Sequence, residues 1–525
     1  MSEEKCSCGR EAEIEGKWCT LHAPIEKKNP EDFWVKFKTY FENALEEYEK
    51  AGNKSSILLD CSYFVFPPFG QWRFPKEIPF HIVFTNAVFY GDAEFAGIDF
   101  KGQALFVETQ FRPCPESLLI KSYTQQDLSG YPGFADFKDS LFSLKANFAD
   151  SKFFCVADFR KGGFLAEANF KGAEFYEKAD FGSRVFEGKA DFNFAEFEKC
   201  VYFSGSSFTR MAVFGRAIFK GETHFSELEF KSNGVFAGAE FYGNVYLELI
   251  VKEFERDSNG NIVKNEVAAK KIKDAEACVT LAYCHFFDKA RVFTYKTSVR
   301  KWRFDGTSLI KDPGIFGFEE TIWKTKGDNR KTLYDEELIG EGKITYERVG
   351  EIYRLLRQNF ESRLAFDQAS DFHIGQMEML LADPVFPDSK KFFLRLYRLL
   401  SNFGEDPWRP LLWLIVVWYF GFLSLTTVTV TNTVPGLEEI INGDFVMPWG
   451  YVLNNVPTTL QDLITAIIGP FKIAWGNIGV AFKNFIVFPQ RQAPAIYFVI
   501  NTLQKLAGGT LITFAILALR RAFRR

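Results

Sequence analysis

Four side chains near the start of the chain, Cys6, Cys8, Cys19 and His22, have the types and the spacing to hold a metal. They form C-x-C-x10-C-x2-H, and thiolate and imidazole donors of this kind suit tetrahedral zinc. A closed set of four would be structural, because no coordination position stays open for a substrate. Residues 1–28 are too few to build a core, so zinc would explain why the segment folds. Gly9 stands where a knuckle turn needs conformational freedom. The first pair is tighter than the usual C-x2-C, and the alternative is a loose tail of free thiols. The histidines His81, His224, His285 and His373 stand apart in sequence. With no G-x-S-x-G, phosphate loop or H-E-x-x-H, no enzyme is expected.

A second set lies at the other end. Asn501, Lys505, Gly509 and Thr513 step by four, with Gln504 and Gly508 beside them, inside an apolar stretch at about 494–519. A lysine near a bilayer centre costs about 2.5–3.5 kcal/mol, tolerated when it faces water or a partner. The face reads as a pore lining on which Lys505 favours anions or hinders cations; the alternative is helix packing by small and polar residues with Lys505 snorkelling. Gly508 and Gly509 would ease bending of a lining helix.

Two apolar stretches, at about 410–428 and 494–519, have close to the roughly 20 residues needed to cross a bilayer. Arg520, Arg521, Arg524 and Arg525 mark the cytoplasmic side of the second, so both termini and the region before the spans are expected in the cytosol, at the inner membrane. Between them a short helix at about 457–470 contains Gln461 and Asp462 and breaks at Gly469, Pro470 and Phe471. It is too short to span and reads as re-entrant. Lys390 to Phe403 reads as a basic amphipathic helix for the membrane surface; the alternative is a soluble core helix.

The longest pattern lies before these elements. From Phe137 to Leu247 a large apolar residue recurs at alternating steps of five and six, with alanine two places before many of them. Neither a helix nor an ordinary strand has this period. A chain that turns a corner at each beat, with the large residue on an axis and the small one in the wall, does. A fixed repeat means a solenoid, which binds or spaces.

Ala168-Asn169-Phe170, Ala190-Asp191-Phe192 and Ala239-Glu240-Phe241 resemble the A(D/N)F core of pentapeptide-repeat proteins. The resemblance covers 84–111 and 137–247 and implies a right-handed, four-sided β-helix of an 11-residue variant, about seven coils long. Tyr353-Arg354-x-x-Arg357-x-x-Phe360-Glu361 and Asp371-Phe372-x-x-x-Gln376-Met377-Glu378 resemble a helical pair that follows such repeats in bacterial membrane proteins. The order span, re-entrant helix, span is similar to two-transmembrane channels, although Thr-Val-Gly-Tyr-Gly is absent, so potassium selectivity is not supported. The expected organisation is a zinc-knuckle-like segment (1–28), a capping helix and lead-in (29–79), and a β-helix (80–305) with inserts at 112–136 and 248–276. A helical linker (306–406) and a membrane domain (407–525) follow.

The fold class is thus mainly β, with an α-helical linker and a two-span membrane domain. The expected function is an oligomeric ion channel, tetrameric by analogy, whose β-helix senses a protein or small-molecule regulator; the alternative is a membrane-tethered scaffold. A net charge of −4 argues against nucleic acid as a partner. Cys61, Cys155, Cys200, Cys278 and Cys284 are expected as small fillers of the core, not disulfides.

Overall fold

The phenylalanine beat folds as stacked coils whose backbones pair in parallel. The computed structural model describes residues 6, 11–15, 17–52, 57–68, 72–115, 133–249, 254–256, 262–264, 278–287, 290–294, 299–307, 316–318, 321–326, 330–416, 506, 509–514 and 516. The chain forms two compact units, Met1–Arg363 and Leu364–Arg525.

In the first unit the described strands form parallel sheets of ten, nine and fifteen strands. The fifteen-stranded sheet is two walls, joined where Thr223–Phe230 keeps its pairing across a corner and pairs with Val201–Tyr202 at one end and Ser207–Phe208 at the other. There are therefore four walls. Partners such as Ala146, Ala168, Ala190 and Ala212 stack in register, one coil above another. Each coil contributes one phenylalanine per wall to an interior filled with aromatic rings. Phe148, Phe170 and Phe192 stack at 4.8 and 4.9 Å, which is the spacing of neighbouring strands. Across the axis the rings meet edge to face, as Phe148 and Phe159 do at 5.3 Å, the arrangement the ring quadrupole favours.

The alternating step has a backbone cause. Asp139, Asp150, Lys161, Gly172, Ser183, Phe194, Gly205, Arg216, Glu227 and Gly238 all have positive φ. Each is the third residue of a five-residue step, so this corner is a tight left-handed turn. The six-residue steps turn differently. There Gly188 and Gly221 lie so close to the coil below that a Cβ would meet backbone atoms at 2.2 and 2.3 Å.

The stack is longer than the marked beat. It opens at Leu58–Asp60, which pairs with His81–Val83, and the ten-stranded sheet closes with Trp302–Arg303. Strands thus occupy part of the expected lead-in. The first insert is bounded more narrowly than expected, because Phe134–Asp136 already pairs with Ala93–Glu94. In the second insert Phe254–Arg256 and Ile262–Lys264 form an antiparallel hairpin. Of the expected core cysteines, Cys61, Cys155 and Cys284 are buried, whereas Cys200 and Cys278 are half-buried.

Both ends of the stack are covered. Helix α1 (Pro30–Lys50) is capped by the Asn29 side chain, which accepts from the Glu31 amide at 3.0 Å, with Pro30 in the first turn. Its Phe33, Phe37 and Phe41 continue the aromatic axis, meeting Phe66 at 5.3 and 5.1 Å and Phe80 at 5.3 Å, respectively. At the far end lie α2 (Asp335–Gly340) and α3 (Tyr346–Ser362). The buried Tyr353 hydroxyl donates to Glu336 and accepts from the Leu333 amide at 3.1 Å, and Phe360 packs on Phe318 at 5.6 Å.

The second unit contains α4 (Phe366–Ala382) and α5 (Asp388–Ser401), tied by Arg398 to Glu378 at 3.2 Å. Residues 408–416 are helical, and Trp413 Nε1 donates to the Leu399 carbonyl at 3.3 Å. Among the described residues no helix is long and apolar enough to cross a membrane. Most of the two expected spans and all of the expected re-entrant helix, including Gln461, Asp462, Gly469, Pro470 and Phe471, lie outside the described residues.

Candidate metal centre and apolar surface of the second unit

Cys19 ends a short reversal in which Ile14 and Trp18 bridge. The turn that follows, closed by the His22 and Ala23 amides on the Cys19 carbonyl at 3.1 and 3.0 Å, swings His22 back toward Cys19. The Cys6 Sγ, Cys19 Sγ and one His22 ring nitrogen lie within 4.8 Å of one another. His22 Nδ1 is 3.0 Å from Cys19 Sγ and 3.8 Å from Cys6 Sγ. Zinc bonds of about 2.3 Å to sulfur and about 2.0 Å to nitrogen, at a tetrahedral angle, separate such donors by about 3.5 Å. The three residues therefore fit the ion. Cys8, the fourth expected ligand, lies outside the described residues.

The other ring nitrogen fixes the tautomer. His22 Nε2 is 3.2 Å from the Ser62 carbonyl. A carbonyl only accepts, so Nε2 carries the hydrogen and Nδ1 keeps its lone pair toward the sulfurs. Metal-bound imidazoles are oriented by such outer bonds. Close by, the buried Lys28 Nζ donates to the carbonyls of Leu21 at 2.9 Å and Val65 at 2.5 Å and sits 4.3 Å over the Phe33 ring. Burial pushes Lys28 down to about 6, opposed by the charge of Cys19.

In the second unit, α5 turns much of its apolar side outward. Phe392 and Phe393 are 61% and 68% exposed, and Leu396 and Leu399 are exposed beside them, while Lys391 is only 8% exposed. Trp408, Leu412 and Ile415 of the following helical stretch are also exposed. Helical residues between 506 and 516 bury Leu511, and Phe514 meets Tyr397 at 5.4 Å. Gly509 and Thr513 of the expected pore face are exposed. Asn501, Gln504, Lys505 and Gly508 lie outside the described residues.

One buried cation escapes a reading by period. Arg184 stands in the wall column of Ser140, Gly162 and Ser206 and is fully buried. Its Nη1 donates to the carbonyls of Phe137, Phe159 and Lys161 at 3.1, 3.2 and 2.8 Å, and its Nη2 to Ser140 Oγ at 3.2 Å. The guanidinium lies 4.4 Å over the Phe164 ring. The available signal was a long side chain in a column of small ones.

Residues 185–228 match the family model of pentapeptide repeats (9 copies). No curated protein and no solved structure matches the chain. With the four-walled stack around them, these residues support a pentapeptide-repeat β-helix, a solenoid of the kind that generically serves protein interaction.

Proposed function

We propose that the chain is a membrane protein in which the pentapeptide-repeat β-helix is a sensing or interaction domain and the second unit assembles, as a ring of copies, an ion pore. The observation that carries this reading is α5, which buries a lysine and exposes two phenylalanines. An apolar face of that size in water costs about 25 cal/mol per Å², and a bilayer removes the cost. The pore rests on a further point. The terminal helix packs through Leu511 and Phe514 and leaves Gly509 and Thr513 open, on the same period as Asn501 and Lys505. One two-span chain cannot enclose a pore, so copies must do so.

A second reading is favoured by the same α5: a tethered scaffold in which the membrane segments only anchor. Purified full-length chain in liposomes separates the two. Chloride or potassium flux that shifts in selectivity with Lys505→Ala supports the pore and puts Lys505 on its wall. Stable membrane insertion with no flux of either ion supports the scaffold. Failure to partition into vesicles, with Phe392→Glu/Phe393→Glu behaving like the parent, would overturn both.

A further inference from the structure

We infer that Cys6 Sγ, Cys19 Sγ and His22 Nδ1 bind zinc, and that the ion acts as a clasp holding residues 19–28 on the first coil, so that metal loading closes the amino-terminal end of the β-helix.

A parallel stack must end in a strand with one unpaired edge, and such an edge recruits other chains unless covered. Here the first strand of the nine-stranded sheet is Val65–Phe66, which pairs with Val88–Phe89 on its inner side. Its outer side is covered by the metal segment. The Val65 amide donates to the Leu21 carbonyl at 3.0 Å. Lys28 Nζ bridges the carbonyls of Leu21 and Val65. His22 reaches the Ser62 carbonyl through Nε2 and lies edge-on to Phe64 at 4.9 Å.

His22 thus joins the metal donors to the coil. Its Nδ1 faces the sulfurs while its Nε2 faces the strand's approach. Cys6 and Cys19 are buried, and the described residues between them are held by the Ile14–Trp18 bridge and by polar contacts of Glu13 with Thr20 and Lys36 and of Glu15 with Lys27. That is too little apolar burial to order so many residues. Zinc supplies the missing free energy: the two thiols release their protons to solvent, the thiolates and the imidazole bind the ion, and nothing is oxidised. With His22 fixed by zinc, its bond to Ser62 holds Leu21 beside Val65.

The test uses detergent-solubilised full-length chain, with zinc as the added ion. Metal content is measured in the parent, Cys19→Ser and His22→Ala. Amide exchange is followed at residues 62–66 and, as an internal control, at 168–192. The expected result is about one zinc per parent chain and little in either variant. Chelation of the parent should then raise exchange at 62–66 by about tenfold or more while leaving 168–192 protected. Cobalt replacing zinc should give the parent a thiolate-to-metal absorption band that His22→Ala largely loses. If a variant misfolds, the parent with and without chelator still decides. Absence of zinc with a Cys6–Cys19 disulfide, zinc retained equally in both variants, or exchange at 62–66 unmoved by chelation would each overturn the proposal.

Discussion

At the scale of single residues, the interior is set by exceptions to the phenylalanine rule. Arg184 replaces a small wall residue and straps three coils by donating to the carbonyls of Phe137, Phe159 and Lys161. It reaches Ser140 past Gly162, where a Cβ would lie 2.1 Å from the Ser140 carbonyl oxygen. Burial lowers Arg184 to about 9, so it stays charged at neutral pH in both folded and unfolded chains and adds no pH dependence there. Arg184→Ala should cost about 3 kcal/mol, from the cavity and the carbonyls it strands, read as a lower midpoint in denaturant. Phe194 is the opposite case. A bulky residue at φ +60 is strained, and the ring, about half exposed, lies 5.7 Å from the Arg216 guanidinium. Phe194→Gly should gain about 0.5–1 kcal/mol, and an unchanged or lowered midpoint would show that the turn is not strained.

At the scale of elements, the caps decide where the stack stops. Asp335 opens α2, is fully buried, and accepts from the Phe304 amide at 3.2 Å. Burial raises its carboxyl to about 6; Asp305 adds to the rise, and Arg303 opposes it. Arg303 and Arg348 pair with Asp305 at 3.2 and 3.3 Å, leaving Asp335 the less compensated acid. The folded chain therefore holds a proton that the unfolded chain has released between about pH 4 and pH 6, and stability falls as pH rises through that window. Asp335→Asn should remove this slope and add up to about 3 kcal/mol above pH 6, visible in melting curves from pH 4 to 8. Much of this architecture was legible beforehand, because Phe148, Phe159 and Phe170 fill an axis that only large apolar residues fill. The left-handed corners were not, since Lys161, Ser183, Phe194 and Glu227 share a backbone angle and no chemistry. Nor was the first coil, where Leu59, Phe66 and Ile78 carry the core without the beat. In the metal segment the cysteines and His22 were readable by type, but the bond from His22 to Ser62 joins residues that only the coil brings together.

At the scale of the whole chain, the two units differ in what they show to solvent. The first unit buries its phenylalanines in a stack where each coil touches its neighbours, so stability is nearly a sum over coils and interfaces, with caps at the ends. Its exposed apolar side chains, such as Leu144, Leu165 and Tyr283, are scattered along the walls. The second unit concentrates them on consecutive turns of α5 and on residues 408–416, with Phe392, Phe393, Leu399, Trp408 and Leu412 all more than half exposed. The units meet in sequence at Leu364, itself 73% exposed and at φ +62, a turn rather than a continuous helix. A chain ending at Arg363 should keep both solenoid caps, because α1, α2 and α3 all lie within it. It should therefore stay in the supernatant after high-speed centrifugation, with one cooperative melt, while the full chain pellets with membranes and needs detergent. Were residues 1–363 to aggregate or lose cooperativity, the β-helix would depend on the second unit for its fold, and excising it could not separate sensing from conduction. Were the full chain to remain in the supernatant without detergent, the exposed face of α5 would have to be covered by protein, and the pore would lose its ground.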